Sequence, residues 1–347
     1  MYSDGLSFIF EYMRKLLFLL TIGLVSYSFG YSQDQNAQQL QATARNMMRL
    51  GDFNNAVATL NKSLAIDPYN LEAQKDLAYT LYLKKDYATA LMTAKPLSEQ
   101  ANADVQCIQI LALIYNSLEE KKSLEKLYKN GLKKFPKSGS LYYEYGKFLW
   151  DKKEQHNALM QWEKGIQQDA NYPGNYFELA QYYLKGDEKL WGLLYGELFV
   201  NLESYSERTV LMQDLLFAGY KKMFYAVDIF EKQNTSNPFE KLCLTLLDKH
   251  RNILTNGITS ENITALKARF ILDWNQLGAK FPYRLFDHYT QLIRAGLLEA
   301  YTEWSLGGGE SMTKYQEWVR THQEDHYEWM RLQQNRVFKI PAGQYYK

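Results

Sequence analysis

The stretch GDFNNAVATLNKSLAIDP, Gly51 through Pro68, decides the fold. It opens on a turn, Gly51-Asp52-Phe53, carries Ala56 and Leu60 along a helical segment, and closes on Ala65-Ile66-Asp67-Pro68. The turn recurs in a 34-residue register as Lys85-Asp86-Tyr87, again with a small residue, Ala90, after it. Outward from here the same period organises the first half of the chain. Ala44, Ala78, Ala112, Gly146 and Ala180 repeat at this spacing. With Ala and Gly at about 15% of positions, five in a row arise by chance about once in ten thousand. A second column, Ala56, Ala90, Leu124, Ala158 and Gly192, is small in four of its five members. Large apolar residues keep the same spacing: Met47, Leu81, Tyr115, Leu149 and Tyr183 in one column, Leu60, Ala94, Tyr128, Trp162 and Gly196 in another. Pro68 and Pro136 lie two periods apart and close units one and three. Small columns let two helices approach, large ones fill the seam, and a hairpin that cannot bury its own stripe must stack on its neighbour.

This pattern resembles the tetratricopeptide-repeat (TPR) family over residues 37–204, in five units. The resemblance implies an all-α fold, a TPR-type α-solenoid of about five helical hairpins. In the fifth unit Gly192 and Gly196 interrupt the second-helix pattern, so a modified junction is expected there. Family geometry places a concave wall at fixed offsets of each first helix. It names Gln41 and Arg45; Lys75, Tyr79 and Tyr82; Gln109 and Asn116; Tyr143, Lys147 and Trp150; and Phe177 and Gln181. Aromatics interleaved with bases suit a partner-binding groove, because Tyr, Trp and Arg dominate interface energetics. Tyr82 and Trp150 hold the same offset in units two and four and are expected to line one trough.

After Ser204 the register is lost but helical periodicity continues, so residues 205–347 read as an aromatic-rich helical C-terminal domain or cap. Asn237-Pro238 with Glu240 is an N-cap, a first-turn proline and a capping-box acid. Ser260-Glu261 opens a helix running toward Lys280. Phe281-Pro282 breaks it, and the next helix is expected from Tyr283 to Leu306, ended by Gly307-Gly308-Gly309. A last helix is expected over Ser311–Arg336, with Val337 to Pro341 docking extended. The run around Trp191, Tyr195, Phe199 and Arg208 looks like the segment after the repeats in secreted bacterial TPR proteins, and it implies no activity.

Arg14-Lys15, the apolar run from Leu16 to Val25 and the small residues Gly30 and Ser32 read as a bacterial export signal over residues 1–32, cut before Gln33. Met13 is a second candidate start. As a helix, the roughly 14 residues from Leu16 to Phe29 reach only ~21 Å, short of a ~30 Å hydrocarbon core. No later segment holds 18 apolar residues, so the mature chain is expected not to span a membrane and to reside in the periplasm or cell envelope.

With 40 Lys+Arg against 39 Asp+Glu there is no basic field for nucleic acid. Cys107 and Cys243 belong to no metal or redox spacing, and their pairing stays open. His322 and His326, four apart, would share a helix face as in helical zinc sites, with Glu299, Glu303 or Glu310 as third ligand. This gives the alternative reading of a metal-dependent hydrolase. Against it, both histidines border an apolar stripe with Tyr315, Trp318, Val319 and Trp329. The surplus of Tyr and Trp offers a further alternative, an envelope polysaccharide-binding protein. The favoured expectation is a non-catalytic interaction scaffold without cofactor, whose groove takes a protein or peptide.

Overall fold

Gly51, Lys85, Glu119 and Lys153, one to each repeat period, all adopt positive φ, between 56° and 78°. Each is followed by an acid, Asp52, Asp86, Glu120 or Glu154, whose N–H reaches back to Met47, Leu81, Tyr115 or Leu149 at 2.9–3.0 Å. This is one helix-terminating motif used four times: a left-handed residue lets the chain satisfy a carbonyl of the helix it leaves. The acid's own carbonyl then accepts the first bond of the next helix, from Ala56, Ala90, Leu124 and Ala158 in turn. The repeat period is thus set by a turn as well as by packing.

The computed structural model describes residues 35–225 and 236–347; the expected export signal lies outside them. The helices are α1 over 35–49, α2 (Phe53–Ile66), α3 (Leu71–Leu83), α4 (Tyr87–Glu99), α5 (Val105–Ser117), α6 (Lys121–Lys134), α7 (Gly139–Asp151), α8 (Gln155–Gln168), α9 (Pro173–Lys185) and α10 (Lys189–Leu202). They form five hairpins, α1/α2 through α9/α10, and no strand occurs among the described residues. The fold is all-α, a succession of helical hairpins. No helix among the described residues is long and apolar enough to cross a membrane.

Packing bears out the columns. Ala44, Ala56, Ala78, Ala90, Ala158 and Ala180 are fully buried. At Gly146 the indole of Trp162 fills the space a Cβ would need, and its N–H donates to the Tyr143 carbonyl at 3.1 Å. Gly192 and Gly196 do not interrupt the fifth hairpin, contrary to the sequence expectation, since α10 runs through both. They are close-approach positions: a Cβ at Gly192 would stand 2.7 Å from the Leu184 backbone nitrogen, and one at Gly196 would stand 2.8 Å from Leu216.

The chain divides into two compact units, one ending at Lys133 and one spanning Lys134–Lys347. The second holds the fourth and fifth hairpins together with everything after them, so the repeat register and the compact units are not coextensive. There follow α11 (Glu207–Tyr225), α12 (Pro238–Lys249), a 3-10 turn (Arg251–Leu254), α13 (Ser260–Leu277), α14 (Arg284–Ala295) and α15 (Leu298–Thr302). Then come α16 (Met312–Thr321) and α17 (Gln323–Asn335). Asn237 caps α12 as its sequence implies, accepting from the N–H groups of Phe239 and Glu240.

Three expectations are corrected here. The helix expected over Tyr283–Leu306 is split by Gly296, which takes φ 72° and ends α14. Gly307–Gly309 do not terminate a helix: α15 continues through a π-turn (Glu303–Gly307) into the turn Gly308–Glu310. Gly309 serves close packing instead, because a Cβ there would lie 3.0–3.1 Å from Phe217 and the α11 backbone. The last helix is broken at His322, which ends α16 and begins α17. Cys107 and Cys243 are free, buried thiols, one in each unit.

Ala78 and Ala112, which the register places at helix crossings, are both buried. Replacing either by Leu is expected to cost ~1–3 kcal/mol through overpacking. Denaturant melts measure this, and unchanged stability at both sites would show the register to be misplaced.

Candidate partner-binding surface

In the first unit, Arg45 of α1 points across to α3. Its Nε donates to Asp76 at 2.6 Å, and Gln41 donates to the same carboxylate at 2.7 Å. Lys75 is only 3% exposed and bridges Glu72, Asp104 and Gln106 at 2.5–2.8 Å. Its ammonium therefore ties α3 to the start of α5; burial pulls its pKa down, but bonds to Asp104 and Glu72 outweigh this and hold it above the usual lysine value. The aromatic members differ. Tyr79, 37% exposed, stacks on Tyr82 at 6.0 Å, and Tyr82 leans on Tyr87 at 5.9 Å. Asn116 is exposed and Gln109 half-buried on α5.

In the second unit, Tyr143 of α7 packs on Tyr172 at 5.7 Å, and the Lys147 ammonium lies over the Tyr143 ring and 3.8 Å from Glu178. Trp150, half-buried, rests on Trp162 at 5.7 Å and meets the edge of Tyr182 at 6.1 Å. Phe177 is buried beneath the Arg208 guanidinium, 5.1 Å from its ring, and meets Phe199 at a tilt, 5.0 Å away. Gln181 is half-buried. Sequence offsets missed Tyr182 and Arg208. Tyr182 follows a named groove position directly, and Arg208 comes from α11, outside the repeats. Tyr82 belongs to the first unit and Trp150 to the second.

The histidine pair lacks the geometry that motivated it. His322 sits at the α16/α17 break (φ −122°, ψ 47°), exposed, stacked on Trp318 at 4.9 Å, with Nδ1 3.1 Å from the Trp318 carbonyl. His326 is half-buried one turn into α17. Two imidazoles four apart share a face only on an unbroken helix. Glu299 accepts from the Trp318 indole at 2.8 Å, while Glu303 and Glu310 both accept from the Ser260 hydroxyl. Among the described residues no three His, Cys, Asp or Glu side chains are grouped to hold a metal ion.

The most deeply buried charges are elsewhere in the second unit. Glu197 on α10, 1% exposed, has the Lys267 ammonium of α13 3.0 Å from each of its oxygens. It also accepts from Tyr220 of α11, Tyr289 of α14 and Tyr301 of α15. Tyr301 in turn accepts from Asn201, whose oxygen takes a bond from Arg336 at 2.8 Å. The guanidinium of Arg336 lies against buried His288. Burial and the nearby Arg336, Arg284 and Lys267 charges push His288 down to about 2, and burial lowers Arg336 to about 10.

No protein-family model and no curated protein matches the chain. Solved structures do resemble it. TTC0263, a TPR protein of Thermus thermophilus, aligns at TM-score 0.42 and 17% identity over 52% of this chain and 98% of that one. PilF of Pseudomonas aeruginosa aligns at 0.45 and 16% over 58% and 91%. A TPR protein of Parabacteroides merdae aligns at 0.40 and 14% over 70% and 92%.

His288 yields a pH prediction. Its folded pKa lies below the unfolded value of ~6.5, so the unfolded chain binds the extra proton and stability falls as pH falls below ~6.5. Between about pH 5.5 and 3 this amounts to about one proton, or ~1.4 kcal/mol per pH unit. His288→Asn should remove that component from the pH dependence of unfolding free energy. Glu163 and Glu303, raised by burial, act in the opposite sense but are common to both proteins. Identical acid slopes for the two would contradict the buried neutral imidazole.

Proposed function

We propose that the TPR-type hairpins make this chain a non-catalytic interaction scaffold. Its first helices present aromatic and basic side chains to a protein or peptide partner in the bacterial cell envelope. The observation that carries this reading is the exposed aromatic set on α3, α7 and α9. Tyr79 and Tyr82 stack at the surface of the first unit, and Trp150 and Tyr182 meet at the surface of the second beside exposed Lys147. Large rings left half-open on a rigid helix face suit anchoring, because they bury much area at little entropic cost. Among the named positions of each unit the roles divide. Tyr79, Tyr82, Tyr143, Lys147 and Trp150 are the contacting groups. Arg45 and Lys75 are held by Asp76 and Asp104 and shape the wall, and Phe177 supports it from beneath. The envelope location rests on the leader read in residues 1–32.

Crosslinking in the native envelope, followed by identification of the captured molecules, tests the reading. A protein captured at Tyr82 or at Trp150 is expected, whereas a glycan, or a substrate turned over, would replace it. Truncating either ring to Ala should cost on the order of 1–2 kcal/mol of stability, less than the ~3–5 kcal/mol of a fully buried aromatic. Capture should weaken by about thirtyfold, equivalent to ~2 kcal/mol. A melting temperature that collapses with either substitution would make that ring core and end its assignment to the groove.

A further inference from the structure

The segment after α17 runs without regular structure from Arg336 to Lys347, and its two halves are held differently. Phe338 and Ile340 are buried, and Ile340 exchanges two backbone bonds with the Asn171 side chain at 2.8 and 3.0 Å. Pro341, Ala342 and Gly343 are exposed, and Gly343 takes φ 85°. Beyond this bend the chain is held chiefly through its side chains. Tyr345 donates to Glu163 at 2.8 Å. Tyr346 stacks on Phe239 at 4.6 Å, meets Phe281 edge-on at 5.5 Å and donates to the Pro282 carbonyl at 2.9 Å. The Lys347 ammonium contacts Glu188 at 2.7 Å and covers the rings of Tyr183 and Trp191 at 4.4 and 5.3 Å. Gln344 accepts from the Arg284 N–H, and Asn237, while capping α12, also donates to the Tyr346 carbonyl.

These are the contacts of a recognised peptide: an ammonium over aromatic faces beside a carboxylate, a ring between rings, and a phenol on a half-buried acid. The walls have supports of their own. Glu163 still receives Tyr183 and Tyr195 at 2.6 and 3.1 Å without Tyr345. Phe239 packs on Trp191 and Trp274 without Tyr346. Tyr283, buried and in ring contact with Tyr346, keeps a hydroxyl that the segment leaves without a partner.

We propose that α8, α9, α10 and α12 form a preformed binding slot for an aromatic–basic peptide, occupied in cis by Gln344-Tyr345-Tyr346-Lys347 as a tethered ligand. The slot uses none of the named groove residues, although its wall residue Tyr183 touches Tyr182, and it does not depend on the groove reading. A short tether holds its end at an effective concentration on the order of millimolar, so a micromolar free peptide competes poorly with the intact segment.

The test uses the full chain carrying Tyr345→Ala, Tyr346→Ala and Lys347→Ala, and a fluorescein-labelled peptide with the sequence of residues 342–347. Fluorescence anisotropy should show saturable binding to the triple variant and at least tenfold weaker binding to the unmodified chain. Adding Glu163→Gln and Glu188→Gln to the triple variant should abolish it. A folded triple variant that fails to bind the peptide, or binding that survives loss of both acids, overturns the proposal. If the triple variant does not fold, hydrogen exchange on the unmodified chain decides. The Arg284 amide, whose partner is Gln344, and the amides of 342–347 should exchange by local opening, at least tenfold faster than those of α9 and α10. Exchange only with global unfolding would make the segment a fixed part of the core.

Discussion

The second unit is organised by one buried ion pair, Glu197 with Lys267. Each ion placed away from water costs several kcal/mol, and mutual attraction offsets this only when every remaining lone pair and proton is satisfied. Here the satisfaction is nearly complete. Lysine addresses both carboxylate oxygens, and three tyrosines from three further helices supply the rest. The ammonium also sits 5.1–5.6 Å from the same three rings. Such a cluster does little to raise stability over an apolar core, but it is intolerant of displacement. If any of α10, α11, α13, α14 or α15 slips, a buried charge or phenol loses its partner. The arrangement of five helices is therefore selected by one carboxylate.

That constraint ties the fifth hairpin to the helices after it. Glu197 sits on the second helix of the fifth hairpin, and its partners lie in α11 and beyond. The abundance of tyrosine has the same origin. Tyr220, Tyr289 and Tyr301 are raised well above their usual range by burial, so they remain protonated donors at the carboxylate. A phenol is the side chain that can fill a helix–helix seam and still end in a hydrogen bond. Around Phe239 the same logic runs without polar ends, with Trp191, Trp274, Tyr283 and Phe286 closing a ring cluster between α10, α12, α13 and α14.

The repeat half was legible because its constraints are local and periodic. A 34-residue spacing of Ala and Gly needs no knowledge of distant partners, and the same is true of Asn237 capping α12. The turn was read at Gly51 and Lys85 but hidden at Glu119 and Lys153, where neither a glycine nor an Asp–aromatic pair marks it. Gly192, Gly196 and Gly307–Gly309 misled for the converse reason. Glycine signals both chain breaking and close approach, and only the neighbouring helix decides between them. His322 and His326 misled because the break at His322 is made by backbone that no proline or glycine announces. Of the positions proposed for the groove, the sequence offsets picked out rings that are half-open. They could not tell that Lys75 and Phe177 are buried, because burial there comes from Asp104 in the next repeat and from Arg208 beyond the repeats. The slot at Glu163 joins residues up to 182 apart, beyond any periodic signal.

If one carboxylate selects the second unit, the unit should fold by itself only when it contains that carboxylate. The direct measurement is thermal unfolding, followed by circular dichroism, of two separately expressed fragments, residues 134–347 and residues 205–347. The longer should melt in a single cooperative transition. The shorter lacks Glu197, leaves Lys267 as an uncompensated buried charge, and should show no cooperative melt. A fragment of residues 205–347 that melts as sharply and at the same temperature as residues 134–347 would contradict the account.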